Sequence, residues 1–457
     1  MPIKLSLTSA PISLEERYGK FKGAASTEPS FALAILAAVA REAGHTVQCI
    51  EASALNLSLE ETLKKIAAFK PDVVGISATT AGIKSAAELS AKIKSLSPSI
   101  YTIIGGCHVT ALTEETLLSY PSFDIAVTGE GEDTLVELLS FLDKNKSLPL
   151  SLEGTSVRTG NNTIKHNPTR PLINNLDKLP LPAWDLIEGF PTLFRPSPAR
   201  IKRWPCASIV LTRGCPNSCT FCDRSVFGNK CRFYSPAYAV KLIKDLVDNY
   251  GVREILIEDD TFILQRKHVQ EFCDILIKGK VDITWSCLGR VDRVTPDLLK
   301  LMKKAGCWHI GFGIESAEPT ILAAVHKNIN LDQVKQALHW CKEAGIKTKG
   351  FFIVGLPGET LESIEKTRKF ILSLELDDIS VMQMTPFPGS AFFSEVHKWG
   401  SFTPAWEKMN TLNTIFIPHG MKKEDLEEGR RRLIRSFYFR PSIILKHMVQ
   451  VIRHPHT

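Results

Sequence analysis

The sequence predicts an α/β protein with two successive sets of β-strands and α-helices. Strand-like and helix-like segments alternate over residues 1–145 and again over residues 206–400. Several strand-like runs are continuously apolar and β-branched, as in parallel sheets that are buried on both faces. A chain of 457 residues is also too long for one hydrophobic core. We therefore expect an N-terminal α/β domain (1–145), a bridge (146–205), a partial barrel (206–400) and a small helical C-terminal region (401–457).

The N-terminal region has strand and helix patterns in alternation. The candidate strands are Ile3–Leu7, Val47–Ile50, Asp72–Ser77, Tyr101–Ile104 and Asp124–Val127. The candidate helices are Phe31–Ala43, Leu59–Phe69, Ile83–Ser95 and Thr134–Leu142. The first helix is expected to begin after Thr27 with Pro29 in its first turn, and the second with a capping box from Ser58 to Glu61. This order predicts a doubly wound, flavodoxin-like (Rossmann-like) domain.

Small and polar residues follow three of these strands, where such sheets bind ligands. Glycines at these points let a bulky ligand approach the backbone. Taken singly, each stretch is explained as well by a tight strand-to-helix turn. The candidate binding residues are Ser77, Thr79, Thr80, Gly105, Gly106, His108, Gly129 and Glu130.

Residues 146–205 are expected to form a bridge. A hairpin is predicted from Thr155–Arg158 and Thr163–His166 around Gly160-Asn161-Asn162. Several prolines then keep the chain extended.

Three cysteines follow the bridge with the spacing C-x3-C-x2-C, at Cys215, Cys219 and Cys222. Gly, Pro, Asn and Ser between them indicate a solvent-facing turn rather than a core strand. Thiolates bind iron–sulfur clusters or zinc, and the motif supplies no fourth ligand. An iron left open in this way can bind a substrate or cofactor. Ordinary buried cysteines, or a zinc site completed by Cys231, are the alternatives.

The second set of alternating patterns predicts six strands and a partial (β/α)6 barrel of the TIM type. The strands are Ile209–Thr212, Glu254–Ile257, Ile283–Cys287, Trp308–Gly311, Thr348–Val354 and Asp378–Met382. The helices are Pro236–Asn249, Lys267–Ile277, Pro296–Ala305, Thr320–Val325 and Leu361–Leu372. In such a barrel, chemistry takes place at the carboxyl ends of the strands.

These motifs resemble those of the radical S-adenosylmethionine (SAM) enzymes, whose signature is C-x3-C-x-aromatic-C, with Phe221 as the aromatic residue here. The resemblance implies a 4Fe–4S cluster held by the three cysteines. It also implies contacts to SAM. Acidic Glu258 and Asp259 suit the ammonium group, Glu315 and Ser316 the ribose or aminoacyl end, and Gly355 belongs to the adenine motif. Arg290 is expected to pair with the SAM carboxylate, or to form a surface salt bridge.

The N-terminal region resembles the cobalamin-binding domain of one radical SAM subgroup over Pro71–Ser77, Gly105–His108 and Gly129–Glu132. The Asp-x-His-x-x-Gly sextet that supplies a lower cobalt ligand in other cobalamin proteins does not occur in the sequence. A cobalamin without a histidine lower ligand is therefore expected.

The resemblance implies an anaerobic enzyme that generates a 5′-deoxyadenosyl radical and methylates an unactivated carbon. An oxidative cyclase or rearranging enzyme is the main alternative, and a non-catalytic cobalamin or redox sensor or metal scaffold is the alternative from another class. A small-molecule or lipid-like substrate and an electron donor such as flavodoxin or ferredoxin are implied.

Charge is concentrated at the C-terminus. The net charge is +7, of which residues 421–457 supply +5, from nine Lys/Arg and four Asp/Glu. The segment from Lys422 to Thr457 is expected to be helical, either capping the barrel or contacting an anionic membrane peripherally. No nucleic acid is expected as a partner, because no known RNA-binding module accompanies the basic helix. Without a signal peptide or an apolar run long enough to span a membrane, the chain is expected to be cytoplasmic.

Overall fold

A computed structural model describes residues 2–19, 22, 25–160, 163–197 and 200–445. The chain divides into two compact units. Unit 1 comprises residues 1–197, 223–232 and 387–390, and unit 2 comprises residues 198–222, 233–386 and 391–457. A division into two compact units does not test the boundaries of the four predicted segments, and these boundaries stay a prediction.

Unit 1 is built on one sheet with helices along its crossovers. Its strands are β1 (Lys4–Ser9), β2 (Thr46–Ile50), β3 (Val73–Ser77), β4 (Tyr101–Gly105), β5 (Ile125–Val127), β6 (Thr155–Gly160) and β7 (Thr163–His166). Its helices are α1 (Leu14–Tyr18), α2 (Phe31–Glu42), α3 (Leu59–Phe69), α4 (Ile83–Leu96), α5 (Cys107–Ala111), α6 (Thr113–Ser119) and α7 (Glu132–Asn145).

The strand order of this sheet is β2-β1-β3-β4-β5-β6-β7. The pairs from β2 to β5 are parallel, which confirms the flavodoxin-like prediction. The predicted hairpin forms as β6 and β7, and β6 pairs antiparallel with β5, so the hairpin extends the sheet. Its turn residues Asn161 and Asn162 lie outside the described residues.

Two helix starts in unit 1 show how side chains set the boundaries. The predicted capping box is confirmed, because the Ser58 hydroxyl accepts from the Glu61 amide and the Glu61 carboxylate accepts from the Ser58 amide. The predicted start of α2 with Pro29 in its first turn is wrong. Ser30 is the N-cap, since its hydroxyl accepts from the Leu33 amide, and Pro29 therefore lies before the helix.

The remaining strands and helices follow in chain order. The strands are β8 (Cys206–Ile209), β9 (Thr212–Arg213), β10 (Arg232–Phe233), β11 (Glu254–Ile257), β12 (Thr284–Gly289), β13 (Cys307–Glu315), β14 (Lys347–Val354), β15 (Asp378–Gln383), β16 (Gly400–Phe402) and β17 (Phe416–Pro418). The helices are α8 (Pro236–Tyr250), α9 (Arg266–Lys278), α10 (Pro296–Lys304), α11 (Pro319–Ala324), α12 (Leu331–Glu343), α13 (Leu361–Ser373), α14 (Ala391–Glu395) and α15 (Lys423–Tyr438).

The main sheet of unit 2 has six strands in the order β15-β14-β13-β12-β11-β8, and all of its pairs are parallel. This confirms the predicted half-barrel. The first strand was placed wrongly, because β8 begins at Cys206 directly after Pro205 and ends at Ile209. The apolar run Ala207–Leu211 continues past its end, so hydrophobicity alone did not mark the boundary.

Helix α12 was not predicted, although its sequence carries the pattern. Val334, Ala337, Leu338 and Cys341 are buried at helical spacing, and the Asn330 side chain caps the helix by accepting from the Asp332 amide. The crossover from β13 to β14 therefore contains both α11 and α12.

The C-terminal helix α15 lies along the edge strand β15. Its buried side chains are Leu426, Leu433 and Phe437 (together with Gly429), and the Tyr438 hydroxyl donates to the Ile379 carbonyl at 2.9 Å. The apolar face of α15 is thus covered by unit 2 itself, as in the capping alternative. Residues 446–457 of the predicted helical segment lie outside the described residues.

Within the part of the chain that the structure describes, none of the helices is both long and apolar enough to cross a bilayer.

Candidate functional site

The structure places the three motif cysteines on the loop after β9. The Asn217 side-chain amide donates to the Cys215 sulfur at 3.2 Å, and the Cys222 amide donates to the Cys219 carbonyl at 3.2 Å. Cys219 is buried, Cys215 is partly exposed and Cys222 is exposed. The thiols also lie within electrostatic range of one another, since Cys215 and Cys219 both raise the pKa of Cys222. The loop therefore carries all three predicted ligands.

A short segment between α11 and α12, residues 325–328, holds this loop in place. The Thr220 amide donates to the Val325 carbonyl at 3.1 Å. The Cys219 thiol donates to the His326 carbonyl at 3.8 Å, a normal distance for sulfur. Two successive carbonyl groups of this segment are thus turned towards the cysteine loop.

Lys327, in the same segment, forms a buried ion pair with Glu315 at the end of β13. Lys327 Nζ lies 2.8 Å from Glu315 Oε1, and the two side chains are 9% and 7% exposed. Burial lowers the pKa of Lys327, but the Glu315 carboxylate raises it by more, so the lysine is charged.

A glycine and a bulge create the space for this pair. Glu315 has a φ of +66°, and the pairing of β13 with β14 shifts between Gly313 and Glu315. A Cβ atom at Gly313 would lie 2.5 Å from Glu315 Oε1 and 2.8 Å from Lys327 Nζ. Any side chain at position 313 would therefore displace the pair.

The charges around the loop act on the thiols. Burial raises the pKa of Cys219, while Lys327 and Arg290 lower it. Loss of hydration raises the pKa of Cys222 to about 12 although the residue is exposed, because the surrounding protein displaces much of the water near its sulfur. Cations beside a thiol favour the thiolate, which is the form that binds metals.

Arg290 follows β12 and is only 9% exposed. Its Nε lies 2.9 Å from Asp292 Oδ1, and its Nη2 donates to the Asn328 carbonyl at 2.8 Å. The salt bridge of the alternative prediction exists, between a nearly buried Arg290 and an exposed Asp292. The pairing of Arg290 with a SAM carboxylate stays a prediction.

The two predicted acidic ligands at the end of β11 differ in environment. Asp259 is fully buried, its Oδ1 accepts from the Leu211 amide at 2.6 Å, and its Oδ2 has no hydrogen-bond partner among the described residues. Burial raises the pKa of Asp259 to about 7. Glu258 is partly exposed and forms an ion pair with Arg200.

The other predicted SAM residues lie in unit 2. Phe221 packs against a buried apolar cluster that includes Leu356 and Met384. Ser316 is 1% exposed and its hydroxyl accepts from the Glu318 amide at 3.1 Å, which is a structural turn contact. Gly355 has a φ of +91°, so a side chain would strain it.

In unit 1 the predicted residues lie at the carboxyl ends of β3, β4 and β5. Ser77 ends β3, and Thr79 precedes a short 3₁₀ turn that begins at Thr80. His108 is buried, and its Nδ1 lies 3.3 Å from Thr80 Oγ1. Burial lowers the pKa of His108 to about 4, so its ring is neutral at pH 7.

The three glycines at the carboxyl edge of the unit 1 sheet differ in the space around them. A Cβ at Gly106 would lie 2.5 Å from the Ala78 carbonyl oxygen, so Gly106 is required by packing alone. A Cβ added at Gly105 would have one neighbour within 4 Å, the Val127 carbonyl oxygen at 3.9 Å. A Cβ added at Gly129 (φ +72°) would have no neighbour within 4 Å. The backbone at Gly105 and Gly129 is therefore open to a ligand.

Glu130 has protein partners in this structure. Its carboxylate forms an ion pair with Arg232 at 2.7 Å, with side-chain exposures of 3% and 4%, and it accepts from the Ile173 amide at 2.7 Å. Its predicted contact with a corrin stays a prediction.

Within the described residues, no three His, Cys, Asp or Glu side chains are arranged to hold one metal ion. Cys231, the fourth ligand in the zinc alternative, lies in the segment 223–232 that belongs to unit 1.

Lys327 and Arg232 are the residues that were not predicted from the sequence. Each has a buried acidic partner outside its own segment: Glu315 lies 12 residues before Lys327, and Glu130 lies 102 residues before Arg232. A Lys or Arg in an otherwise ordinary segment gives no signal of such a partner.

Two family models match the chain. The radical SAM superfamily model matches residues 209–371, and the B12-binding domain model matches residues 23–139. Together they cover the cysteine loop, most of the half-barrel and the flavodoxin-like sheet of unit 1. They define the class as a radical SAM protein that also carries a B12-binding domain.

Curated relatives extend over nearly the whole chain. An uncharacterised methyltransferase from Pyrococcus horikoshii is 33% identical over 92% of this chain and 90% of the relative. The anaerobic magnesium-protoporphyrin IX monomethyl ester cyclase from Rubrivivax gelatinosus is 30% identical over 90% of this chain and 74% of the cyclase. The chain therefore belongs to the radical SAM superfamily, among the members with a B12-binding domain.

A solved structure shares the fold. The cobalamin-dependent SAM radical enzyme OxsB, determined with aqua-cobalamin and SAM bound, superposes with a TM-score of 0.76 at 18% identity, covering 94% of this chain and 66% of the OxsB chain. The cofactors of the family, a 4Fe–4S cluster, SAM and cobalamin, are those expected from the motifs.

The residues present fit these groups. Three thiols on one loop beside the cations of Lys327 and Arg290 suit an anionic thiolate cluster. Asp259 Oδ2 is an unpartnered acceptor at a strand end, as a cationic ligand requires. At Gly129 nothing lies within 4 Å of an added Cβ, so a ligand can approach the backbone there.

Proposed function

We propose that this protein is a cobalamin-dependent radical SAM methyltransferase that methylates an unactivated carbon of a small molecule. The observation that carries the proposal is the combination of the three-thiol loop with the B12-binding unit in one chain. A relative named a methyltransferase, matched over 90% of its own length, supports methyl transfer.

When bound, the reduced cluster and SAM supply a 5′-deoxyadenosyl radical, and cobalamin supplies a methyl carrier. The part of the protein is to bind and orient them. Cys215, Cys219 and Cys222 would hold three irons and leave the fourth for SAM.

Residues next to the loop would fix the amino-acid end of SAM. Lys327 and Arg290 supply positive charge beside Cys219, and Glu315 supplies a carboxylate held by Lys327. Because the Lys327–Glu315 pair is buried, water screens its charges weakly, and their electrostatic interaction with a bound ligand is strong. Asp259 and Glu258 would receive the ammonium group, and Gly355 would admit the adenine against the backbone.

The carboxyl edge of the unit 1 sheet would bind the corrin. Gly105 and Gly129 leave backbone open there, and the buried His108 is held by Thr80. A neutral imidazole avoids a charge next to an apolar ring system. Ser77, Thr79 and Gly106 would complete this edge.

An oxidative cyclase is the second candidate, because the Rubrivivax gelatinosus cyclase is 30% identical over 90% of this chain. Both reactions need a substrate radical, and they differ in whether the methyl group of SAM is used.

A small-molecule substrate fits either reaction. We also propose that a small electron carrier such as flavodoxin or ferredoxin reduces the cluster. The lipid-like nature of the substrate, a peripheral membrane contact through the basic C-terminal region and a cytoplasmic location stay predictions.

The function is tested by measuring which products the enzyme forms from SAM. The anaerobically reconstituted protein is reduced and incubated with SAM, and S-adenosylhomocysteine and 5′-deoxyadenosine are quantified. A methyltransferase forms S-adenosylhomocysteine, about one per corrin without substrate, in addition to 5′-deoxyadenosine. The Cys219→Ala variant, which lacks a ligand of the cluster that binds SAM, should lose 5′-deoxyadenosine.

The other outcomes identify the alternatives. 5′-Deoxyadenosine without S-adenosylhomocysteine would indicate a cyclase or rearranging enzyme. Neither product, from protein that retains iron and corrin, would indicate a non-catalytic sensor.

A further inference from the structure

Hydrogen bonds connect the strand ends of unit 1 in a row. His108 Nδ1 lies 3.3 Å from Thr80 Oγ1, which joins the loop after β4 to the loop after β3. The Thr110 hydroxyl donates to the Gly106 carbonyl at 2.9 Å and accepts from the Gly129 amide at 3.1 Å. The loops after β3, β4 and β5 are therefore linked in sequence by side chains.

The row continues through Glu130 to Arg232. Arg232 Nη1 donates to Glu130 Oε2 at 2.7 Å and to the Ile173 carbonyl at 2.8 Å, and its Nη2 donates to the Phe227 carbonyl at 3.3 Å. Both side chains are almost fully buried. Arg232 Nε has no hydrogen-bond partner among the described residues. A buried pair with an unsatisfied donor is a costly way to gain stability alone.

Arg232 ends a segment that begins directly after the third cysteine. Residues 223–232 belong to unit 1 and follow Cys222 in the chain. Asp223, at the start of the segment, forms an antiparallel bridge with Ser390. A Cβ at Gly389 would lie 2.3 Å from Asp223 Oδ1, so the Asp223 carboxylate packs closely against the Gly389 backbone. The segment is thus held inside unit 1 at both ends.

We propose that the Glu130–Arg232 ion pair couples corrin binding at the strand ends to the cluster that Cys222 helps to hold. The inference rests on the proposed function, since it requires a corrin at Gly105 and Gly129. A ligand that moves the loop after β5 moves Glu130, and Glu130 sets the position of Arg232 and its segment. Arg232 acts through Glu130 and its own segment, so it is a positioning residue.

Such coupling is reciprocal, which makes it measurable without a substrate. The affinity of the full chain for hydroxocobalamin is measured by absorbance in the cluster-loaded and the cluster-free form. The expected ratio of the two dissociation constants is at least about 5 for the wild-type protein. In the Arg232→Gln variant the ratio should fall to about 1. The electron paramagnetic resonance spectrum of the reduced cluster should change on adding corrin in the wild type only.

A variant with restored stability distinguishes coupling through the Glu130–Arg232 pair from a purely structural role of that pair. Arg232→Gln removes the buried cation that faces the Glu130 carboxylate, so it is strongly destabilising. The double variant E130Q/R232Q removes both charges and keeps hydrogen-bonding groups, and its denaturation midpoint should recover. If Arg232→Gln does not fold, the double variant carries the test. Arg41→Gln removes an exposed pair with Asp185 and serves as the matched control, with an unchanged ratio.

The results decide between the interpretations. A ratio of dissociation constants near 1 in a stable double variant supports coupling through the Glu130–Arg232 pair. A double variant with both midpoint and ratio restored would overturn the inference, as would a wild-type ratio of 1 with corrin bound. A wild-type protein that binds no corrin in either form would instead refute the proposed function, and this inference with it.

Discussion

Lys327 and Glu315 carry opposite charges into a part of unit 2 that water hardly reaches. Each charge is tolerated there only because the other is 2.8 Å away, and the Gly313 backbone leaves the space for both. Burial raises the pKa of the Cys219 thiol, and the same lysine opposes that rise. One residue thus acts on stability and on the thiolate form of a cluster ligand.

Replacing Lys327 by Met should therefore lower the free energy of unfolding by about 3–5 kcal/mol, because it leaves the Glu315 carboxylate buried and unpaired. Urea denaturation of the cluster-free protein measures this. The double variant K327M/E315Q should recover most of the loss. Lys366→Met removes a lysine that is 53% exposed in its pairs with acidic residues and should cost far less than Lys327→Met. Equal losses for Lys327→Met and Lys366→Met would contradict this account.

His108 makes stability depend on pH. Burial lowers its pKa from 6.5 to about 4 in the folded protein. Between these values the unfolded chain binds a proton that the folded chain does not, so stability is lost as the pH falls from 6.5 to 4. At 1.36 kcal/mol per pKa unit, the loss is up to about 3 kcal/mol.

The His108→Asn variant should lack this part of the acid destabilisation, because asparagine does not titrate. Urea denaturation of both proteins between pH 7 and pH 4 measures the difference in unfolding free energy. His309 shows a similar lowered pKa and is present in both proteins, so the difference isolates His108. His339→Asn, at an exposed position, is the control. Parallel pH profiles for wild type and His108→Asn would show that His108 is not buried in this way.

At the level of elements, α15 is a cap on the half-barrel. Arg430 donates from Nε to the Val381 carbonyl at 2.8 Å, on the strand that ends the sheet. The basic helix thus uses one of its arginines to satisfy an exposed strand edge.

Phe437 and Phe439 give a matched pair of tests for α15. Phe437 is fully buried, whereas Phe439 is 72% exposed. Phe437→Ala should lower the unfolding free energy by about 3–5 kcal/mol, and Phe439→Ala by less than about 0.5 kcal/mol. Chemical denaturation checks both. Equal effects would mean that α15 does not cap β15 as described.

The sequence predicted element types better than their contacts. The strands and helices followed from alternating patterns, and the cysteine loop from its spacing, because both are local signals. The predicted position of β8 was wrong because the apolar residues Val210 and Leu211 follow directly after its last residue, Ile209. The Lys327–Glu315 and Arg232–Glu130 pairs could not be predicted, since nothing in a single sequence reports which charges meet after folding.

For the whole molecule, the combination of cofactors is the main conclusion. The family models for radical SAM and B12 binding match separate stretches of this chain, residues 209–371 and 23–139. Neither stretch contains a motif that identifies a substrate. The substrate therefore could not be predicted from the sequence.

The most direct test is the cofactor content of the protein itself. The chain is purified without oxygen, reconstituted with iron, sulfide and hydroxocobalamin, desalted, and analysed for iron and corrin. We expect about four irons and one corrin per chain. Replacing Cys215, Cys219 and Cys222 by Ala should remove the iron. Iron without corrin would contradict the account, because the protein would then be a radical SAM enzyme whose unit 1 serves another purpose, and the methyl-transfer proposal would be withdrawn.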